Sequence, residues 1–269
     1  MSESEPQFLD VRSRPEAPPR RIAYRIDPAP ADGVGLFWLS GYKSDMASTK
    51  ATELAVFARA NGYGYARFDY SGHGLSSGRF EDGTIGAWLD EAEAVFRLTQ
   101  GPQVVIGSSM GGYIALLLLR RLLEFSPAEA ARIVALVLIA PAWDMTEELM
   151  WKQFDAKARR EMEATGVYRQ PSEYGEPYAI TRMLIEEGRQ HLMANDPFDP
   201  GRPVAILQGR LDMAVPIAHA RRLLDLLRGG WSEMTEIPDG EHRLSRPQDL
   251  ALLFNKITEL SKAASNHGE

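Results

Sequence analysis

The chain contains no cysteine, which removes disulfides, thiolate nucleophiles and cysteine-ligated metals or iron–sulfur clusters from its chemistry. Any nucleophile must be another residue. An excess of positive charge is also missing: 37 Asp and Glu outnumber 30 Lys and Arg, for a net charge of -7. No basic cluster rises above that background, which argues against a phosphate-neutralising surface and against nucleic acid as a partner. Long apolar runs are absent too. The longest, around Ile114 to Leu119, is followed by Arg120 and Arg121, well short of the ~20 residues a membrane-spanning helix needs. The start, Met1 to Pro6 with Pro15, Pro18 and Pro19 beyond it, is acidic and proline-rich, unlike the basic-then-apolar order of a secretory signal. A cytoplasmic protein without a membrane span is the expectation. The chain has neither a G-x-x-x-x-G-K-[ST] loop nor an H-E-x-x-H pair, so no motif supports phosphate cradling or zinc hydrolysis, and no cofactor or metal is implied. Gly72-His73-Gly74-Leu75-Ser76-Ser77-Gly78 begins like a dinucleotide fingerprint. Its third glycine is out of register and the next helix starts too late, so it reads as a tight loop crossing a sheet.

What is present is enough apolar residue, 44% of 269, for one large core. Residues 1–20 read as a flexible arm and Ile22 to Ile26 as an edge strand. After that, strand and helix patterns alternate. Val34 to Leu39, Tyr65 to Phe68, Val104 to Ile106, Ile133 to Ile139, Val204 to Leu207 and Glu233 to Ile237 are the predicted strands. Met46 to Ala60, Ile85 to Leu98, Met110 to Leu123, Ile217 to Leu227 and Pro247 to Leu260 are the predicted helices. Such alternation implies an α/β domain with a mostly parallel sheet flanked by helices. The core is assigned to residues 21–140 and 197–265. Residues 141–196, charged and rich in Met and aromatics, interrupt the pattern and read as a small helical cap insertion. Its large apolar residues, among them Trp143, Met150, Phe154, Tyr168, Tyr174 and Tyr178, would partly form cap core and partly suit an apolar acyl group.

Gly107-Ser108-Ser109-Met110-Gly111 matches G-x-S-x-G between a β-rich run, Gln103 to Ile106, and a helix-forming run, Tyr113 to Leu117. In that context the motif reads as a strained strand-to-helix turn that lifts the Ser109 hydroxyl to a helix N-terminus, with small residues on either side to let the backbones approach. A serine hydroxyl needs a base. Of five histidines, His242 lies in a turn after the last predicted strand, where it can reach across the sheet's carboxyl edge. His73, His191, His219 and His267 are less well placed. The acid should precede the histidine and end a strand. Asp212 fits, following the strand Val204 to Leu207, and Asp144 after Ile133 to Ile139 is the competitor. The backbone amides of Met110 and Tyr42 are the candidate oxyanion donors.

These segments, with Phe68-Asp69-Tyr70-Ser71-Gly72-His73-Gly74 and Gly240-Glu241-His242, resemble the α/β-hydrolase superfamily of serine hydrolases from about Gly33 to Leu260. The Phe-Asp-Tyr-Ser-Gly loop, Gly101-Pro102-Gln103 and Gly166-Val167-Tyr168 further resemble the palmitoyl-protein thioesterase and acyl-glucuronide esterase subfamily and its bacterial relatives. The resemblance implies the α/β-hydrolase fold and cleavage of carboxylic esters or acyl thioesters through an acyl-enzyme, with Ser109, Asp212 and His242 as triad. The partner would be a small-molecule acyl ester or thioester, or an acylated protein. Two readings from other classes share these residues: a ligand-binding protein of the same fold, and a cofactor-free haloperoxidase or carbon–carbon hydrolase. Ser40-Gly41 and Gln208-Gly209 stand where many members have His-Gly, changes expected to touch loop packing rather than the triad.

Overall fold

The computed structural model describes residues 4–13, 16, 18–30, 33–172, 175–194 and 196–265. Strands form where β-branched and apolar residues run together, and helices where apolar residues recur every three or four positions. In chain order these are β1 (Gln7–Val11), β2 (Arg20–Asp27), β3 (Gly35–Leu39), α1 (Thr49–Asn61), β4 (Gly64–Phe68), α2 (Ile85–Phe96), β5 (Gln103–Ser108), α3 (Met110–Phe125), the short α4 (Pro127–Arg132) and β6 (Ile133–Ile139). The inserted segment holds α5 (Ala156–Thr165), β7 (Val167–Ser172), β8 (Gly175–Thr181) and α6 (Arg182–Gly188). The core then resumes with β9 (Val204–Gly209), α7 (Ile217–Leu226), β10 (Ser232–Ile237) and α8 (Pro247–Ser265).

Eight strands form one sheet in the order β1-β2-β4-β3-β5-β6-β9-β10. β2 pairs antiparallel with both β1 and β4, whereas β4 through β10 pair in parallel. Only β2 therefore runs against the rest. From β3 the chain turns outward to β4, and from β5 it turns the opposite way to β6. Successive loops then diverge at the carboxyl ends of β3 and β5, which opens a crevice there. The residues after β3 and after β5 are Ser40 and Ser109.

Alternate residues of each central strand feed two cores. Phe37, Leu39 and Val105 join one with α2, α3 and the inserted segment, while Leu36, Trp38, Val104 and Ile106 join the other with α1 and α8. This two-sided burial explains why β3 is apolar throughout, and β5 apolar from Val104 to Ile106, rather than alternating. Helix ends follow local chemistry. The Thr84 hydroxyl accepts from the Ala87 amide to start α2, and Gly62, at φ 72, ends α1 with its N–H on Ala58 O. α3 is buried on nearly all faces over Met110 to Leu119, and that stretch is accordingly apolar all round.

Three expectations need correction. The arm assigned to residues 1–20 contains β1, whose Val11 is buried and whose register runs from Gln7 opposite Tyr24 to Val11 opposite Arg20. β2 is consequently the second strand and not the edge. The cap of 141–196 is only partly helical, because β7 and β8 form an antiparallel hairpin, Val167 opposite Thr181. Val167, Tyr168, Tyr178 and Ile180 are strand formers, and the pairing slips between Gln170 and Ser172, where Pro171 has no N–H to donate. Tyr174 and His267 lie outside the described residues. Among the described residues, no helix is long and apolar enough to cross a membrane.

The cap's root is clasped to α7. Trp143 Nε1 donates to the carbonyl of His219 at 2.9 Å, and His219 Nε2 meets the carbonyl of Trp143 at 2.8 Å, with the rings stacked 4.6 Å apart. Burial pushes the His219 pKa from 6.5 down to about 4. The unfolded chain therefore binds a proton in that window while the folded one does not. Stability is full above about pH 6.5 and is lost as pH falls toward 4, with a slope approaching about 1.4 kcal/mol per pH unit. Urea unfolding between pH 4.5 and 7.5 should show a steeper acid loss in the parent than in His219→Gln. Parallel curves would contradict the assignment.

Candidate active site

β5 delivers its backbone into Ser109 at φ 54 and ψ -118, and α3 begins at the next residue. Such a conformation is strained for a residue with a side chain. It is held by the Ser109 N–H on Ile139 O at 2.8 Å and by the Gly112 and Ala142 amides on Ser109 O at 2.9 and 3.1 Å. A Cβ at Gly107 would stand 2.3 Å from Gly111 O, and one at Gly111 would stand 2.0 Å from Leu39 O. Neither position has room for a side chain. Gly112 is less confined, its nearest contact being Pro141 Cβ at 3.0 Å. Gly111→Ala should therefore lower Tm by well over 10 °C or abolish soluble protein, and Gly112→Ala should cost much less. Thermal unfolding of both variants checks this, and equal Tm values would refute the packing argument.

Ser109 Oγ lies 3.0 Å from His242 Nε2, and His242 Nδ1 lies 2.8 Å from Asp212 Oδ2. Three residues from the ends of β5, β9 and β10 thus form one hydrogen-bonded chain. The loops that carry the last two are stitched together. Leu211 N–H donates to Gly240 O at 2.9 Å and Arg210 N–H to Ile237 O at 2.9 Å. A Cβ at Gly209 would meet Gly240 O at 2.3 Å, so this close approach requires glycine.

Asp212 has a fully buried side chain. Its Oδ1 accepts from the amides of Ala214 and Val215 at 2.9 and 2.8 Å, and its Oδ2 accepts from Gln208 Nε2 at 3.2 Å. Four donors, counting His242, satisfy the carboxylate and aim it. Gln208 corrects the expectation that Gln208-Gly209 bears on loop packing alone, because its amide touches the Asp212 carboxylate directly. Ser40, at the other departure, accepts from Trp38 Nε1 at 3.0 Å and braces the turn after β3.

The remaining candidates are placed elsewhere. Asp144 is fully buried at φ 49, and its carboxylate accepts from the amides of Met193 and Ala194 at 2.7 and 2.9 Å. Burial pushes its pKa up. Among the described residues no hydrogen bond joins it to His242, and it ties the two ends of the cap insertion together. His191 Nε2 contacts Glu187 at 2.7 Å, and His219 belongs to the Trp143 clasp.

Tyr42 sits in the turn after β3, and a Cβ on the preceding Gly41 would be 3.4 Å from Ser109 Cβ, which shows how closely the turn passes the serine. Neither the Tyr42 amide nor the Met110 amide has an acceptor among the described residues. A cavity of about 590 Å³ opens over Ser109 and His242, walled by Trp38, Tyr42, Tyr178 and the cations Lys43, Lys50 and Arg243. Burial and the nearby Arg243 push the Lys50 pKa down to about 8. The cap contributes Tyr178 to this wall, whereas its Trp143, Met145, Met150, Phe154, Met162 and Met193 are buried in the core they share with α2 and α3. Among the described residues no cluster of His, Asp and Glu could hold a metal ion.

The Alpha/beta hydrolase family matches residues 30–251. The palmitoyl-protein thioesterase ABHD10, mitochondrial, of Bos taurus is 31% identical over 257 residues, covering 94% of this chain and 79% of that protein. A solved structure from Agrobacterium vitis S4 is 40% identical with a TM-score of 0.90, covering 95% of this chain and 98% of the other. The alpha/beta hydrolase domain-containing protein 10 from mouse is 27% identical with a TM-score of 0.82, covering 97% and 99%.

Proposed function

The chain belongs to the alpha/beta hydrolase family, and we propose that within it this protein cleaves carboxylic esters or acyl thioesters through an acyl-enzyme on Ser109. The observation that carries the proposal is the unbroken contact from Ser109 Oγ through His242 to the buried Asp212 carboxylate. His242 Nδ1–H donates to Asp212, which leaves the Nε2 lone pair facing the serine. As Oγ attacks the acyl carbonyl carbon, its proton passes to Nε2. The resulting oxyanion is met by the amides of Tyr42 and Met110, the latter at the positive end of α3. Collapse expels the alcohol or thiol, which takes the proton from Nε2. Water then attacks the acyl-serine with His242 as base, releasing the acid and restoring Ser109.

The acyl class is supported by the thioesterase named among the relatives. The test is a series of acyl chains offered both as p-nitrophenyl esters and as thioesters, compared by kcat/KM. Turnover of either class, with acid released stoichiometrically, is expected. Tight retention of intact ligand without acyl release across the whole series would replace the proposal with a binding protein of the same fold.

A further inference from the structure

The loop Gly72-His73-Gly74 has no part in the chemistry above, yet it is built against the turn beside the nucleophile. The His73 imidazole is buried and ringed by Tyr70, Phe80 and Trp88 at centroid separations of 5.9, 5.2 and 5.6 Å. Its Nδ1 lies 3.0 Å from the carbonyl of Ser71. A carbonyl only accepts, so the hydrogen is on Nδ1 and the lone pair is on Nε2. The backbone N–H of Lys43 donates to that lone pair at 3.2 Å.

What this bond holds is a strained turn. Residues 41–44 are closed by Ser44 N–H on Gly41 O at 3.0 Å, and Lys43 sits at φ 57, a region that disfavours a residue with a Cβ. Rotating the peptide between Tyr42 and Lys43 would let Lys43 relax to negative φ. The His73 acceptor opposes that rotation. In a planar trans peptide the carbonyl and the N–H point opposite ways, so turning the Gly41 carbonyl toward Ser44 turns the Tyr42 N–H away from it. The peptides on both sides of Tyr42 are thereby fixed, one by Ser44 and one by His73. Asp69 ties the same two loops further along, Oδ1 accepting from Met46 N–H at 2.7 Å and Oδ2 from Leu75 N–H at 2.8 Å.

We propose that His73 is a positioning residue for the oxyanion hole, its Nε2 holding the Lys43 amide so that the Tyr42 amide faces the oxyanion formed at Ser109. This rests on the acyl-transfer reading given above. Three variants test it. In His73→Gln the side-chain oxygen can reach the place of Nε2, in His73→Asn it reaches only the place of Nδ1, and His73→Ala offers no acceptor. Losing one oxyanion donor costs about 100-fold in kcat, so His73→Asn and His73→Ala should fall by about 30- to 100-fold with KM within about twofold, because the contact matters in the transition state alone. Their affinity for a trifluoromethyl ketone analogue should fall by a similar factor, and His73→Gln should recover most of both. If the alanine variant does not fold, the Gln and Asn pair decides. The inference is overturned if Asn and Gln variants are equally active, if kcat of the Asn and Ala variants stays within about threefold of the parent, or if KM alone changes. A parent that neither labels with a fluorophosphonate nor releases acyl groups would overturn the acyl-transfer reading instead.

Discussion

Replacing Ser109 with Ala is expected to lower kcat for acyl-ester hydrolysis by on the order of a million-fold while leaving Tm within a few degrees. The side chain removed is one hydroxyl that contacts His242 Nε2. The elbow is held by other atoms: the Ser109 N–H on Ile139 O, the Gly112 and Ala142 amides on Ser109 O, and the packing of Gly107 against Gly111. Alanine at φ 54 meets the same backbone strain as serine, so the turn should survive. What remains would be the oxyanion donors acting on water, still a measurable catalyst in hydrolases of this type. A variant that keeps more than about a tenth of the parental kcat would remove Ser109 from the chemistry.

The second large effect separates the two candidate acids. Asp212→Asn should lower kcat by about 10⁴-fold, at a stability cost of about 1 to 3 kcal/mol because the new NH₂ would face the Gln208 Nε2 donor. The amide that replaces Oδ2 would present a donor to His242 Nδ1 and favour the tautomer with hydrogen on Nε2, which cannot take the proton of Ser109. Asp144→Asn should spare the kinetics. Its carboxylate serves the Met193 and Ala194 amides, and an Asn side chain can accept from one while setting its NH₂ against the other. That substitution should cost about 1 to 3 kcal/mol of stability and leave kcat within a few-fold of the parent. Steady-state kinetics and urea unfolding of both variants make the comparison. A 10⁴-fold loss in the Asp144 variant, with the Asp212 variant active, would exchange the two roles.

How much of this was legible in the sequence depended on how local the cause was. Gly107-Ser108-Ser109-Met110-Gly111 could be read because the steric demand of the elbow is written in adjacent residues, and the structure gives its reason in Gly111 against Leu39 O. Asp212 and His242 could be placed because each follows a strand, and the sheet brings strand ends to one edge. The sheet's central strands were equally legible, since burial on both faces makes them continuously apolar. β1 was not, because five residues in a proline-rich stretch become a strand only by pairing with β2. The β7–β8 hairpin was missed because Pro171, Gly175 and Pro177 mark breaks without saying what they separate. Gln208 reaches the Asp212 carboxylate four residues on, and His73 reaches the Lys43 amide of another loop, so only the folded geometry shows which carboxylate or amide each one meets. Their signal was present in the motifs around them but not interpretable as contact.

In the proposed reaction Ser109 Oγ is the atom to which the acyl group of the substrate becomes covalently attached. That attachment is tested most directly by treating the parent protein with a fluorophosphonate and locating the adduct by peptide mass spectrometry. The expected result is a single adduct on Ser109, formed much more slowly in His242→Ala. An adduct on Ser108 or any other residue, or no adduct in a preparation that still hydrolyses esters, would contradict it.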